Sequence, residues 1–340
     1  MLELTWFALW GILWAVYFAL DGFDLGLGML IPFLARDEKE KRVVYRAMGP
    51  FWDGNEVWLI AAGGVTFAAF PAAYATLFSA LYAPLMFVLF ALIVRAVSIE
   101  FREQLPHVAW KAFWDACLVV SSLTASFLFG VIFANLFAGI PIGKEGVFQD
   151  TVLALFNPYG LAGGVFFTVM FLVHGMLWLI IKSEGGFRSR VSGAVFRMWG
   201  ALFVAALTFV AMSARVTNLF DNYLQWPALF LLPAAAVGAL GAVPFFVRTG
   251  SWWKAWFSSF AFIAGFTLFG VAGMYPNLIY SSINTAYSIT VSGAASSPLA
   301  LKIMLVVALV FVPLVICYQA WVYWLFRDAI DDEDAVDHYY

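Results

Sequence analysis

The chain has 340 residues, 64% of them hydrophobic and only 11% charged, with a formal net charge of −3. Soluble domains run near about 25% charged, so this chain has too little polar surface to cover itself in water. Its acidic balance leaves no basic patch to neutralise phosphates, which excludes nucleic-acid binding.

Apolar windows between polar breaks predict nine helices, near residues 5–33, 50–70, 77–97, 113–137, 159–181, 196–214, 226–247, 254–275 and 301–326. Each approaches the roughly 20 residues that a bilayer span requires. The expected fold is an all-α polytopic membrane protein, one membrane domain over 1–340. The first run lacks the basic start and small-residue cleavage site of a signal peptide, so it reads as a retained span. The break from Asn218 to Gln225 is short, and merging the sixth and seventh windows would leave eight spans. Tyr275 to Pro298 forms the longest uncharged loop, and an acidic tail closes the chain over 327–340. Fifteen of the 18 Lys and Arg residues fall in alternate loops. The exceptions are Lys144, Arg215 and Lys302. By the positive-inside rule the N-terminus is outside, the C-terminus is cytoplasmic and the number of spans is odd.

Charges also occur where spans are expected. Asp21 and Asp24, three residues apart in the second half of the first helix, share a face. Asp53 and Glu56 open the second helix with the same spacing; Arg95 closes the third, followed by Glu100 and Arg102; Asp115 opens the fourth. Acids inside a bilayer are costly, about 2.5–3.5 kcal/mol on insertion scales, and mark ion or proton pathways. Asp21, Asp24, Asp53 and Glu56 therefore read as a proton path from the cytoplasmic side. Arg95, Glu100, Arg102 and Asp115 read as an accompanying charge cluster. A first-turn acid such as Asp115 serves equally as a helix cap, and an Arg95–Asp pair as a lock between helices.

The three histidines are His107, His174 and His338. Only His174 sits where an axial haem ligand would be wanted, and a lone intramembrane histidine more often bridges helices. Cys117 and Cys317 read as small buried hydrophobes, and no nucleotide-binding motif is present. The residues give no metal site.

Asp21-Gly-Phe-Asp24-Leu-Gly26 followed by Trp52-Asp53-Gly-Asn55-Glu56-Val-Trp58 resembles subunit II of the cytochrome bd-type quinol oxidases. Arg95-Ala-Val-Ser-Ile-Glu100-Phe-Arg102, Trp114-Asp115, Asn157-Pro-Tyr-Gly-Leu161 and Tyr318-Gln-Ala-Trp-Val-Tyr-Trp324 extend the match. Between about 165 and 300 it is carried by hydropathy and span count alone. The resemblance implies two four-helix bundles, 1–137 with the charged cluster and 159–275, plus a peripheral ninth helix at 301–326. It implies a heterodimer with subunit I, which holds haem b558, haem b595 and haem d, so that this chain ligates no haem and contains no catalytic residue. The complex oxidises quinol and reduces O2 to water in the bacterial or archaeal cytoplasmic (inner) membrane, drawing protons from the cytoplasm without pumping. Asp53 matches a position assigned to the proton channel and Trp58 one beside a hydrophobic O2 route. Asp24, Arg95 and Asp115 match positions needed for haem assembly. Where this chain has Glu56 the family also uses Gln. Some members hold a structural quinone in this subunit, and small single-span subunits also occur. The alternative is a stand-alone proton-coupled transporter. The absence of paired broken helices in the two halves, and confinement of the charges to the first four helices, stand against it.

Overall fold

In the computed structural model, residues 1–330 are described; His338 and residues 331–340 of the expected acidic tail lie outside them. The order is α1 (Leu2–Leu34), α2 (Glu38–Met48), α3 (Trp52–Ala69), α4 (Pro71–Ala80), α5 (Tyr82–Phe101), α6 (Val108–Ala138), α7 (Pro158–Lys182), α8 (Gly185–Val216), α9 (Leu219–Gln225), α10 (Leu231–Arg248) and α11 (Trp252–Met274). The strands β1 (Asn277–Ile279) and β2 (Ile289–Thr290), then α12 (Val291–Ala294) and α13 (Pro298–Leu325), complete it. A helix occupies each window read from the sequence. Among the described residues eight helical segments are long and apolar enough to cross a membrane, and α3 is not among them. Its first five residues include Asp53, Asn55 and Glu56, which lowers the mean hydropathy of an 18-residue helix. The short break at 218–225 is itself folded as α9, which separates α8 from α10.

Local chemistry sets the boundaries. Proline at the first position of α7 and α13 has a preset φ and no N–H to satisfy. The preceding residue caps each helix: Asn157 accepts from Gly160 N at 2.9 Å and Ser297 from Ala300 N at 3.3 Å. Asp37 caps the amphipathic α2 in the same way, at 2.9 Å from Glu40 N.

The core centres on α1 and α7, which pack on each other; α6 packs on both, α3 on α1, and α11 on both. Helix α5 packs on α6, α8 on α7 and α10 on α11. Helix α13 touches α1 and α3 but contributes only Leu301 to the buried set. At the end of the bundle opposite the charges, the 275–298 loop is a folded cap. Ile140 pairs with Ser281, Ser281 Oγ donates to Ile142 O at 2.7 Å, and Ser296 Oγ donates to Ala68 O at 2.6 Å.

The α1–α7 contact depends on two glycines facing each other. A Cβ on Gly26 would lie 2.0 Å from Phe171 O, and one on Gly175 would lie 2.7 Å from Gly26 C. Backbones this close are the usual means of tight helix packing in membranes. Gly26→Ala and Gly175→Ala are therefore each expected to destabilise the fold by about 1–3 kcal/mol. Gly64→Ala, which meets nothing within 4 Å, is the control. Thermal denaturation of the purified protein checks all three; equal stability of Gly26→Ala and Gly64→Ala would contradict the packing argument.

Candidate functional site

Asp21 and Asp24 lie in the second half of α1, Asn55 and Glu56 within the first two turns of α3, and Arg95 in the last two turns of α5. Packing of α3 on α1 brings these stretches together at one end of the bundle. Asp21, Asp24, Asn55 and Arg95 are all 0% exposed. Arg95 Nη2 donates to Asp21 Oδ1 at 2.7 Å and to Glu56 Oε1 at 2.5 Å. Asn55 Nδ2 donates to Asp24 Oδ2 at 2.7 Å. A buried charge is tolerated only when paired and hydrogen-bonded, and here one guanidinium pairs with two carboxyl groups while the third, on Asp24, is held by the Asn55 amide. Asp21 Oδ2, Asp24 Oδ1, Arg95 Nε and Nη1 and the Tyr17 hydroxyl are buried without a hydrogen-bond partner among the described residues.

A second charged group, nearer the helix ends, is saturated. Arg102 Nε donates to Asp115 Oδ1 at 2.6 Å and Nη2 to Glu38 Oε2 at 2.9 Å, while Nη1 pairs with Glu103. Asp115 also accepts from Lys41 Nζ at 2.9 Å and Tyr45 OH at 3.0 Å, and Lys111 Nζ donates to Glu103 Oε2 at 2.7 Å. The Arg102 guanidinium lies 4.8 Å from the Tyr45 ring centroid. This group ties α2, the α5–α6 turn and α6 into a lock. Burial pushes the Glu38 carboxyl up, but the charge and hydrogen bond of Arg102, with Lys41 beside it, outweigh that and hold it below its ordinary value. The stability it contributes is complete above its unfolded pKa and is lost as pH falls through the lower folded one.

The sequence reading placed Asp53 on one face with Glu56, and the structure separates them. Three residues advance a helix to within about 60° of a full turn, enough to turn Glu56 toward Arg95 and leave Asp53 exposed beside Val57 and Ile60. Asp53 Oδ1 accepts only from Gly54 N, at 2.7 Å, among the described contacts. Glu100 is also exposed. It borders a cavity of about 360 Å³ with Tyr45, Phe51, Lys182 and Phe326. Trp58 is buried, its Nε1 donating to Gln319 Oε1 at 2.6 Å.

Sequence reasoning missed Gln319 and Tyr323, which meet Asn55, and Glu38, Lys41, Glu103 and Lys111 in the lock. It also missed Lys182, whose ammonium reaches the main-chain carbonyls of Phe326 and Asp328. For Gln319 and Tyr323 the available signal was two polar groups four residues apart near the end of a largely apolar final span. His174 is fully buried between helices: Nε2 meets Ala19 O at 2.8 Å and Nδ1 meets Ser259 Oγ at 3.0 Å, with the ring stacked on Trp256. Both nitrogens are engaged, so the histidine does not fit a haem ligand. Among the described residues no three His, Cys, Asp or Glu side chains gather as a metal site.

A sequence model described as cytochrome bd terminal oxidase subunit II matches residues 2–326. The chain belongs to that family. Within the subunit II family, the chain is similar to cytochrome bd ubiquinol oxidase subunit 2 of Bacillus subtilis (strain 168), 34% identical over 341 residues and covering 98% of each chain. It is also similar to cytochrome bd-I ubiquinol oxidase subunit 2 of Escherichia coli (strain K12), 31% identical over 371 residues, covering 98% of this chain and 96% of that one. A chain in the structure of bd oxidase from Geobacillus thermodenitrificans shares the fold, with TM-score 0.78, 15% identity and coverage of 96% and 98%. Curated subunit II relatives are components of an oxidoreductase complex.

The lock makes its own test. Removing one partner of a buried ion pair costs about 3–5 kcal/mol, because the other charge is stranded. Arg102→Ala and Asp115→Ala are each expected to lower stability by that order. The double variant should cost much less than the sum, since the two act on one network. Denaturation midpoints of the four proteins check this, and additive losses would show that the two side chains act separately.

Proposed function

We propose that this chain is the non-haem subunit II of a quinol:O2 oxidoreductase, scaffolding a haem-bearing subunit I and supplying it with protons from the cytoplasm. The reading rests on the names of the curated relatives, both ubiquinol oxidase subunits. It rests equally on one observation: Asp21, Asp24 and Arg95 are wholly buried, with Glu56 at their edge, and part of their hydrogen-bonding capacity is unused. Reduction of O2 to water consumes protons at a buried site, and a half-satisfied set of carboxyls is the kind of group that takes and releases them. A purely structural lock would resemble the Arg102–Asp115 group, in which every charge is matched.

In this reading the membrane domain has nine spans, α3 included. One four-helix bundle is formed by α1, α3, α5 and α6, and a second by α7, α8, α10 and α11, with α13 peripheral. The N-terminus is outside and the charged end faces the cytoplasm of a bacterial or archaeal cell. Asp53 is the exposed mouth of the path. Glu56 and Asp24 follow and Asp21 lies deepest, because α1 and α3 run in opposite directions. Trp58 borders an O2 route. Partners are subunit I, quinol and membrane lipid, with small single-span subunits and a structural quinone as further associates. Haems b558, b595 and d belong to subunit I, and no haem chemistry is assigned to side chains here.

Asp53→Asn keeps shape and capping ability but cannot carry a proton. In the assembled complex it is expected to slow oxygen consumption by about tenfold to a hundredfold with haem content retained, and Asp53→Glu to recover part of the rate. A fully active Asp53→Asn complex across several pH values would remove Asp53 from the path. His174→Ala, by contrast, should leave the reduced-minus-oxidised haem spectrum intact; loss of one haem signal from a complex that still contains folded subunit I would make it a ligand.

A further inference from the structure

The chain of hydrogen bonds that ends on Asp24 starts at Trp58 of α3 and passes through Gln319 of α13, and its polarity is fixed by a group that cannot reverse. The Trp58 indole N–H only donates, and it donates to Gln319 Oε1 at 2.6 Å. The Gln319 amide must then turn its NH2 the other way, and Nε2 donates to Asn55 Oδ1 at 2.9 Å. Tyr323 OH donates to the same oxygen at 3.0 Å. With two donors on Oδ1, Asn55 can only present Nδ2 to Asp24, where it meets Oδ2 at 2.7 Å and also reaches Leu20 O at 3.4 Å.

We infer that α13 is a positioning element for the buried acids: Gln319 and Tyr323 clamp Asn55 so that Asp24 Oδ2 is permanently an acceptor and Oδ1 alone receives and passes on a proton. This deepens the proton-feeding role proposed above and rests on it. Asp24 Oδ1 is the oxygen of that carboxyl without a partner among the described residues. An unclamped amide could rotate and offer its oxygen to Asp24, which would favour a proton on Oδ2 and point it away from the path. Fixing the amide thus fixes which side of the carboxyl is used. The arrangement also gives a purpose to two polar side chains near the C-terminal end of a largely apolar, exposed helix that has Leu301 as its one buried residue. Gln319, Tyr323 and Asn55 are positioning residues; none of them needs to carry the proton.

The test uses the assembled two-subunit complex. Gln319→Leu and Tyr323→Phe each leave one donor on Asn55 Oδ1, so each alone should keep oxygen consumption within about twofold of wild type. Together they release the amide, and turnover should fall about tenfold. The loss should be greatest at alkaline pH, where proton supply limits, with haem content per complex unchanged. A structural role for α13 would instead give additive single effects and loss of haem or of the complex. The readout independent of turnover is the infrared C=O band of the protonated Asp24 carboxyl. It is assigned by its absence in Asp24→Asn or, where that variant does not assemble, by its shift on ¹³C labelling of aspartate carboxyls. The band should shift in the double variant and stay in place in both single variants. An unmoved band in the double variant, single variants that shift it equally, or no such band at all overturns the clamp. A shifted band with undiminished turnover upholds the clamp and removes Asp24 from the proton path, so the two readings fail separately.

Discussion

The pairing of Arg95 with Asp21 and Glu56 is the constraint on which the charged end of the molecule is built. A guanidinium with no exposed surface is tolerable only beside anions, because the desolvation of an unpaired charge costs several kcal/mol. Its two acids come from α1 and α3, so the three helices must meet at one height and in one rotation. A slip of α1 by one residue would carry Asp21 out of reach and bring Leu20 or Gly22 to the guanidinium. Glycines at the α1–α7 crossing serve the same end: α1 can seat deeply only because Gly26 and Gly175 leave no side chains between the backbones.

Two neighbouring charge groups solve the burial problem differently, and the contrast carries the functional argument. Arg102 meets Asp115, Glu38 and Glu103, and Asp115 is in turn held by Lys41 and Tyr45. Such a network is rigid and has little reason to exchange a proton. The Arg95 group leaves polar atoms of Asp21, Asp24, Arg95 and Tyr17 without partners among the described residues. Unsatisfied buried groups of this kind cost stability and persist where they are used. In the proposed orientation both groups face the cytoplasm, the lock holding the rim and the open cluster lying behind it.

Helix α13 illustrates how a peripheral element acts on a buried site. It adds little to the core, yet its Gln319 and Tyr323 are the partners of Asn55, and Asn55 is the partner of Asp24. The aromatic residues around this contact stiffen it: Tyr323 lies 4.7 Å from Phe51 and 5.7 Å from Trp178, ring centre to ring centre. Lys182 then holds the chain beyond α13 by reaching the carbonyls of Phe326 and Asp328.

By itself the sequence determined the membrane class, a helix in each apolar window and most of the buried charges, Lys182 excepted. These depend on local quantities: the length of apolar runs and the cost of a charge in hydrocarbon, which makes Asp21, Asp24 and Arg95 conspicuous wherever they fold. Family membership was legible for the same reason, in motifs contiguous along the chain. Only the tertiary structure decided which charges meet. Arg95 and Arg102 are seven residues apart on one helix and its end, but they fall into separate groups because α1 and α3 pack against one and α2 and α6 against the other. Asp53 and Glu56 share a spacing that suggests one face, yet the rotation of α3 turns one outward and the other toward Arg95. Gln319 lies 264 positions from the asparagine it holds, a contact that no periodicity encodes. Which atoms end up within 3 Å of each other depends on helix rotation and depth, and those are set by the whole packed bundle.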